Sequence, residues 1–119
     1  MFIGALAQGF PPLVVVCSNA SGNSGGLSGS GNVASDTGGH VTVSGGSGSY
    51  SYSFTRLSTS QGPSPTILSG DGTADPVFRA LSVSDGTPSI STWRVTVTDE
   101  AGNTQTDDFT VTLTWTNNS

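Results

Sequence analysis

Lysine is absent from this chain of 119 residues, and apart from His40 its only basic side chains are Arg56, Arg79 and Arg94. Seven Asp and one Glu leave a net charge of −5, and charged residues make up only 9%, against roughly a quarter in ordinary soluble domains. A chain with no basic cluster gains nothing from displacing counterions on a phosphate backbone, which excludes nucleic-acid binding. The Ala, Glu, Lys, Leu and Arg that long helices need are sparse, so a coiled coil is excluded as well. No apolar run approaches the roughly 18 residues of a membrane span.

Chemistry-bearing residues are equally few. Cys17 is the sole cysteine, so no disulfide forms within the chain, and it reads as a small buried apolar residue. His40 is the sole histidine. It opens a strand beside Gly38-Gly39 and reads as a solvated strand end, which leaves the many serines without a catalytic base. The carboxylates of Asp36, Asp71, Asp75, Asp85, Asp99, Glu100, Asp107 and Asp108 fall mostly in turns, not in a facing pair. The expectation is therefore no enzyme and no cofactor. A calcium site built from Asp99, Glu100, Asn103, Asp107 and Asp108 is the chemical alternative. It competes with plain turn chemistry, in which Asp and Asn bond their own backbone. The first sixteen residues are apolar but have no positive start and are broken by Pro11-Pro12, so they do not read as a signal peptide. The triplets Asn19-Ala20-Ser21 and Asn117-Asn118-Ser119 match the glycosylation pattern by chance in a Ser/Asn-rich chain.

What is present in abundance is Ser, Thr and Gly, 53 residues or about 45% of the chain. From position 40 onward they alternate with apolar residues. Val41 and Val43 share one face of a strand. In Ser49–Thr55, Tyr50, Tyr52 and Phe54 face a core while the serines face water. Thr66–Leu68 is a short strand. Over Pro76–Val83 the alternation slips, which predicts a bulge. Trp93, Val95 and Val97 line one face of the next strand, and Phe109, Val111, Leu113 and Trp115 line one face of the last. A turn at Asp99–Asn103 lies between these two strands. With Pro12–Asn19 as a first strand, the pattern predicts an all-β fold, an antiparallel β-sandwich of about seven strands. Residues 20–39 show no periodicity and read as a Ser/Gly-rich loop. The domain spans 12–119, preceded by an apolar arm at 1–11. The aromatics fall at inward positions, and Trp115 is the one that would offer a glycan contact if it were exposed.

Two segments resemble a known group. GGSGSYSYSF (45–54) and STWRVTVTDEAGNTQTDDFTVTLTW (91–115) are similar to bacterial and phage immunoglobulin-like (Ig-like) domains of the PKD or putative-Ig type, as found on virion proteins of tailed bacteriophages. The resemblance implies an Ig-like sandwich and a structural accessory role in the virion, assembled in the host cytoplasm. A capsid decoration or cement protein fits first. A tail or neck accessory protein, or a carbohydrate-binding or adhesion module, is the alternative. The expected partners are virion proteins of capsid or tail, copies of the chain itself and, weakly, a host-surface glycan; nucleic acid and membrane are not expected. Met1, Phe2, Ile3, Leu6 and Phe10 of the arm are the candidate partner-binding residues, because a domain that begins at residue 12 cannot easily bury them all and exposed apolar segments mark interaction surfaces. Strand addition at a sheet edge is one available mode.

Overall fold

A computed structural model describes residues 10–35 and 40–118. The described residues hold nine strands and no helix: β1 (Val14–Cys17), β2 (Ala20–Gly26), β3 (Ser30–Ala34), β4 (Val41–Ser44), β5 (Ser51–Gln61), β6 (Thr66–Ser69), β7 (Val77–Ser84), β8 (Ser89–Thr98) and β9 (Thr104–Asn117). The last two dictate the rest. In β8 the side chains of Ser89, Ser91, Trp93, Val95 and Val97 are buried, and in β9 those of Phe109, Val111 and Leu113. Threonines stand on the alternate positions, because side chains at period two point to opposite faces and Thr keeps strand propensity on the wet one. Trp93 lies opposite Phe109 in the β8–β9 ladder.

The four-stranded sheet runs β2-β9-β8-β5, a second sheet runs β3-β7-β6, and β1 pairs with β4. The last two form one layer. Ser35 N–H bonds the Phe78 carbonyl at 2.8 Å and Val41 N–H bonds the Ala74 carbonyl at 2.9 Å, so β4 carries the line of β3 onward past the start of β7. The first passage of the chain is also divided, with β1 in one layer and β2 in the other. The crossing at Ser18-Asn19 is held from both sides. Ser18 N–H bonds the His40 carbonyl at 3.0 Å, and Asn19 Oδ1 accepts from Thr110 N–H at 2.9 Å.

Nine strands therefore follow seven lines. One layer holds the first, second, fifth and fourth lines in that order, and the other holds the third, sixth and seventh with the second half of the first. This is the strand arrangement of an Ig-like sandwich. Phe54, Phe78, Trp93 and Phe109 fill its centre, with ring centroids 4.8–6.4 Å apart and both Phe54 contacts edge-on, the geometry aromatic quadrupoles favour. Val33, Val83, Val95, Val97, Val111 and Leu113 close the core around them.

Two expectations need correction. Residues 20–34 are not a loop: they form β2, a tight turn at 27–29, and β3. The strands were hidden because they are built of small residues. Ala20, Val33 and Ser35 are buried, and a Cβ on Gly22 would stand 2.1 Å from the Ala34 carbonyl oxygen, so glycine is what lets the two passages approach. The sandwich is also not wholly antiparallel, since β2 runs parallel to β9, Ala20 opposite Val111 through Gly26 opposite Asn117. The slip over Pro76–Val83 is a bulge: Gly31 faces Val83 and Val33 faces Ala80, leaving an extra residue on β7. Ser82 takes a φ of 59° there, which returns Val83 to the core.

Candidate functional site

Phe10 is the one residue of the expected partner-binding set within the described residues; Met1, Phe2, Ile3 and Leu6 lie outside them. This residue is 38% exposed. It lines a shallow, open groove of about 310 Å³ together with Ser47, Glu100 and Ala101. The chain is fixed to the domain immediately afterwards. Leu13 is buried, and the Pro11 carbonyl accepts from Gly46 N–H at 2.8 Å. A Cβ on Gly45 would stand 1.9 Å from the Pro12 carbonyl oxygen, and Gly45 and Gly46 have φ of +73° and +66°, a region side chains other than glycine rarely enter. The chain thus meets the domain over a glycine pair. Tyr50 completes this seat, its hydroxyl donating to the Gly45 carbonyl at 2.5 Å.

Behind the groove, the Asp99–Asn103 turn uses the Asp99 carboxylate internally. Asp99 Oδ1 accepts from Asn103 N–H at 2.9 Å. Its Oδ2 accepts from Asn103 Nδ2 at 3.0 Å and from Ser47 N–H at 3.1 Å. Asp99 N–H in turn bonds the Asn103 carbonyl at 2.9 Å, and Ser47 Oγ accepts from Ala101 N–H at 2.9 Å. The Asn103 side chain first, then the backbone N–H groups of Asn103, Ser47 and Ala101, hold the Asp99 carboxyl below its ordinary range. Asp107 and Asp108 have other work. Asp107 accepts from Cys17 N–H at 2.8 Å, and Asp108 takes a two-pronged bond from Arg94 at 2.8 and 3.1 Å across β8 and β9. Four of the five residues of the calcium alternative, Asp99, Asn103, Asp107 and Asp108, are therefore divided among three structural tasks, and the Glu100 side chain stays exposed. Among the described residues no group of three or more His, Cys, Asp or Glu is arranged to hold a metal ion.

Cys17, His40 and Trp115 are also engaged. Cys17 is half-buried, and burial first, then the Asp107 carboxylate, pushes its thiol up to about 12. The exposed His40 ring is bonded through Nδ1 to Asp75. Trp115 is half-buried rather than displayed. Its indole N–H donates to the Ser28 carbonyl at 3.0 Å, and its ring lies over the Cα atoms of Gly26 and Gly31, where added Cβ atoms would stand 3.0 and 2.4 Å from it. Among the described residues no helix is long and apolar enough to cross a membrane.

No protein-family model matches the chain, and no curated protein matches it. Among solved structures, the M1 domain from titin aligns over 86% of this chain and 94% of that one at 15% identity, with a TM-score of 0.39. At that score the likeness adds nothing to the strand order and pairing described above, on which the Ig-like architecture stands.

Proposed function

We propose that the chain is a non-catalytic structural module, an Ig-like domain displayed on a larger assembly and docked through its N-terminal arm. The observation that carries this reading is the way the arm joins the domain. Leu13 and the Gly45-Gly46 seat lock the chain in place, yet one turn earlier Phe10 stays 38% exposed beside an open groove. An apolar residue left exposed where the chain is firmly fixed has surface to offer a partner. The rest of the exposed surface suits a displayed body. It is dominated by Ser and Thr, and its acidic residues repel non-specific association.

The resemblance of 45–54 and 91–115 to Ig-like domains of tailed phages makes the virion the assembly proposed, with capsid decoration as the leading role and a tail or neck position as the variant. A glycan-binding role would rest on Trp115, whose N–H is already spent on Ser28. The test is transplantation. Residues 1–13 fused to an unrelated soluble reporter are expected to bring the reporter onto purified particles. Phe10→Ser in that fusion is expected to weaken binding roughly tenfold or more, the scale of one buried aromatic contact. A fusion that never binds particles contradicts the reading.

A further inference from the structure

A partner that seats itself on Phe10 also meets Glu100, because both line the same open groove of about 310 Å³ with Ser47 and Ala101. The polar backbone around this groove is engaged. Ser47 N–H bonds Asp99, Ser47 Oγ accepts from Ala101 N–H, and Glu100 N–H bonds the Gly48 carbonyl at 3.2 Å. The Glu100 carboxylate is the exception. The residue is exposed, and among the described residues its side chain has no ion pair or hydrogen bond.

The surroundings add negative charge and no compensation. Asp99 stands next to Glu100, its carboxyl held below the ordinary range by the Asn103 side chain and by backbone N–H groups. The cations of the described residues are elsewhere. Arg94 is bonded to Asp108 and His40 to Asp75. Arg56 stands opposite Trp93, five residues along β8 from Thr98, or about 17 Å of strand. Arg79 stands opposite Ala34 in β3, with the whole of β4 between that point and Gly45.

Covering the groove therefore sets a condition on what covers it. Phe10 gains by leaving water, but the surface that takes it also displaces water from Glu100. A carboxylate covered without a partner loses hydration that one aromatic contact does not replace. An Arg or Lys placed against it turns that loss into attraction. Phosphate-bearing surfaces, nucleic acid or lipid, would repel the same carboxylate.

We propose that the partner is a protein surface that presents a basic side chain, Arg or Lys, beside the apolar patch that takes Phe10, and that Glu100 pairs with that cation. This rests on the docking role proposed above and adds to it the chemistry of the partner. The charged contact belongs to the domain and not to the arm, since residues 1–13 hold no charged side chain.

Binding of the full chain to purified particles that lack it, measured across salt, tests the pairing. Affinity is expected to fall roughly tenfold between about 0.05 and about 0.5 M sodium chloride, as screening weakens the pair. Glu100→Gln is expected to weaken binding roughly tenfold at low salt and to flatten the salt response. Glu100→Arg is expected to weaken it further, and Glu100→Asp to keep the salt response. The fusion of residues 1–13 to a reporter, which lacks Glu100, is expected to bind with little dependence on salt. Glu100 is exposed, so each variant is expected to melt like the unaltered chain. Binding that is weakened by Phe10→Ser but indifferent to salt and to Glu100→Gln overturns the pairing and leaves the docking role standing. A chain that never binds particles overturns both. Self-association of the free chain that is lost on Glu100→Gln would place a second copy in the groove and overturn the choice of partner.

Discussion

At the scale of single residues, several polar side chains of this chain hold backbone in place. Asp99 is the clearest case. Its carboxyl is held below the ordinary range because the charged form accepts the Asn103 and Ser47 donors, and Asp108 is lowered in the same way by Arg94. A folded-state pKa below the unfolded value means stability that is complete above the unfolded pKa and is lost as pH falls through the folded one. Asp99→Asn is therefore expected to lower the melting temperature at neutral pH and to flatten the loss of stability on the acid side, as read by thermal melts between pH 2 and 7. Cys17 has the opposite sign. With its thiol pushed up to about 12, the folded state holds a proton the unfolded chain releases, so this contribution is present below the unfolded thiol's pKa and lost as pH rises toward 12. At pH 8 a thiol reagent is expected to modify native Cys17 at least about a hundredfold more slowly than the unfolded chain, since the thiolate is the reacting form. Equal rates in the two states would show that neither burial nor Asp107 protects it.

At the scale of elements, the strands divide by how they carry their signal. Strands β5, β8 and β9 place aromatic and β-branched residues at every second position, and a period of two is legible in any sequence. The bulge on β7 was legible for the same reason, as a break in that period. Strands β2 and β3, which pack across the two layers, were not, because their contact is made of Ala20, Gly22 and Gly31, where burial comes from absence of bulk. Their strand character lies in partners elsewhere in the chain: β9 in parallel, and the Trp115 ring over Gly26 and Gly31. The glycines separate the two descriptions of this segment. Gly22→Ala and Gly31→Ala, whose Cβ atoms would meet the Ala34 backbone and the Trp115 ring, are each expected to cost about 1–3 kcal/mol in urea unfolding, the usual scale of overpacking. Gly29→Ala meets nothing within 4 Å and is expected to be neutral or slightly stabilising. Neutral behaviour at all three positions would fit a loose connection and not two packed strands.

At the scale of the whole molecule, the apolar inventory explains both the fold and its leftover. The domain closes a core of Val, Leu, Phe and Trp without a disulfide. It gives its outer surface largely to Ser and Thr, and receives the arm over Gly45-Gly46. The seat for the arm was only half legible. The apolar start of the chain announces surplus hydrophobic side chains, but the role of two glycines as a contact for Pro11 and Pro12 appears only when positions 35 residues apart are brought together. The central claim is that the arm docks the domain and contributes little to its folding. Removing residues 1–10, which leaves Pro11 and its bond to Gly46 in place, separates those roles. The most direct measurement is the occupancy of this truncated chain on purified particles, beside the full chain, with its melting temperature recorded in parallel. A melting temperature within a few degrees of the full chain's and occupancy near zero are expected. Full occupancy by the truncated chain would contradict it.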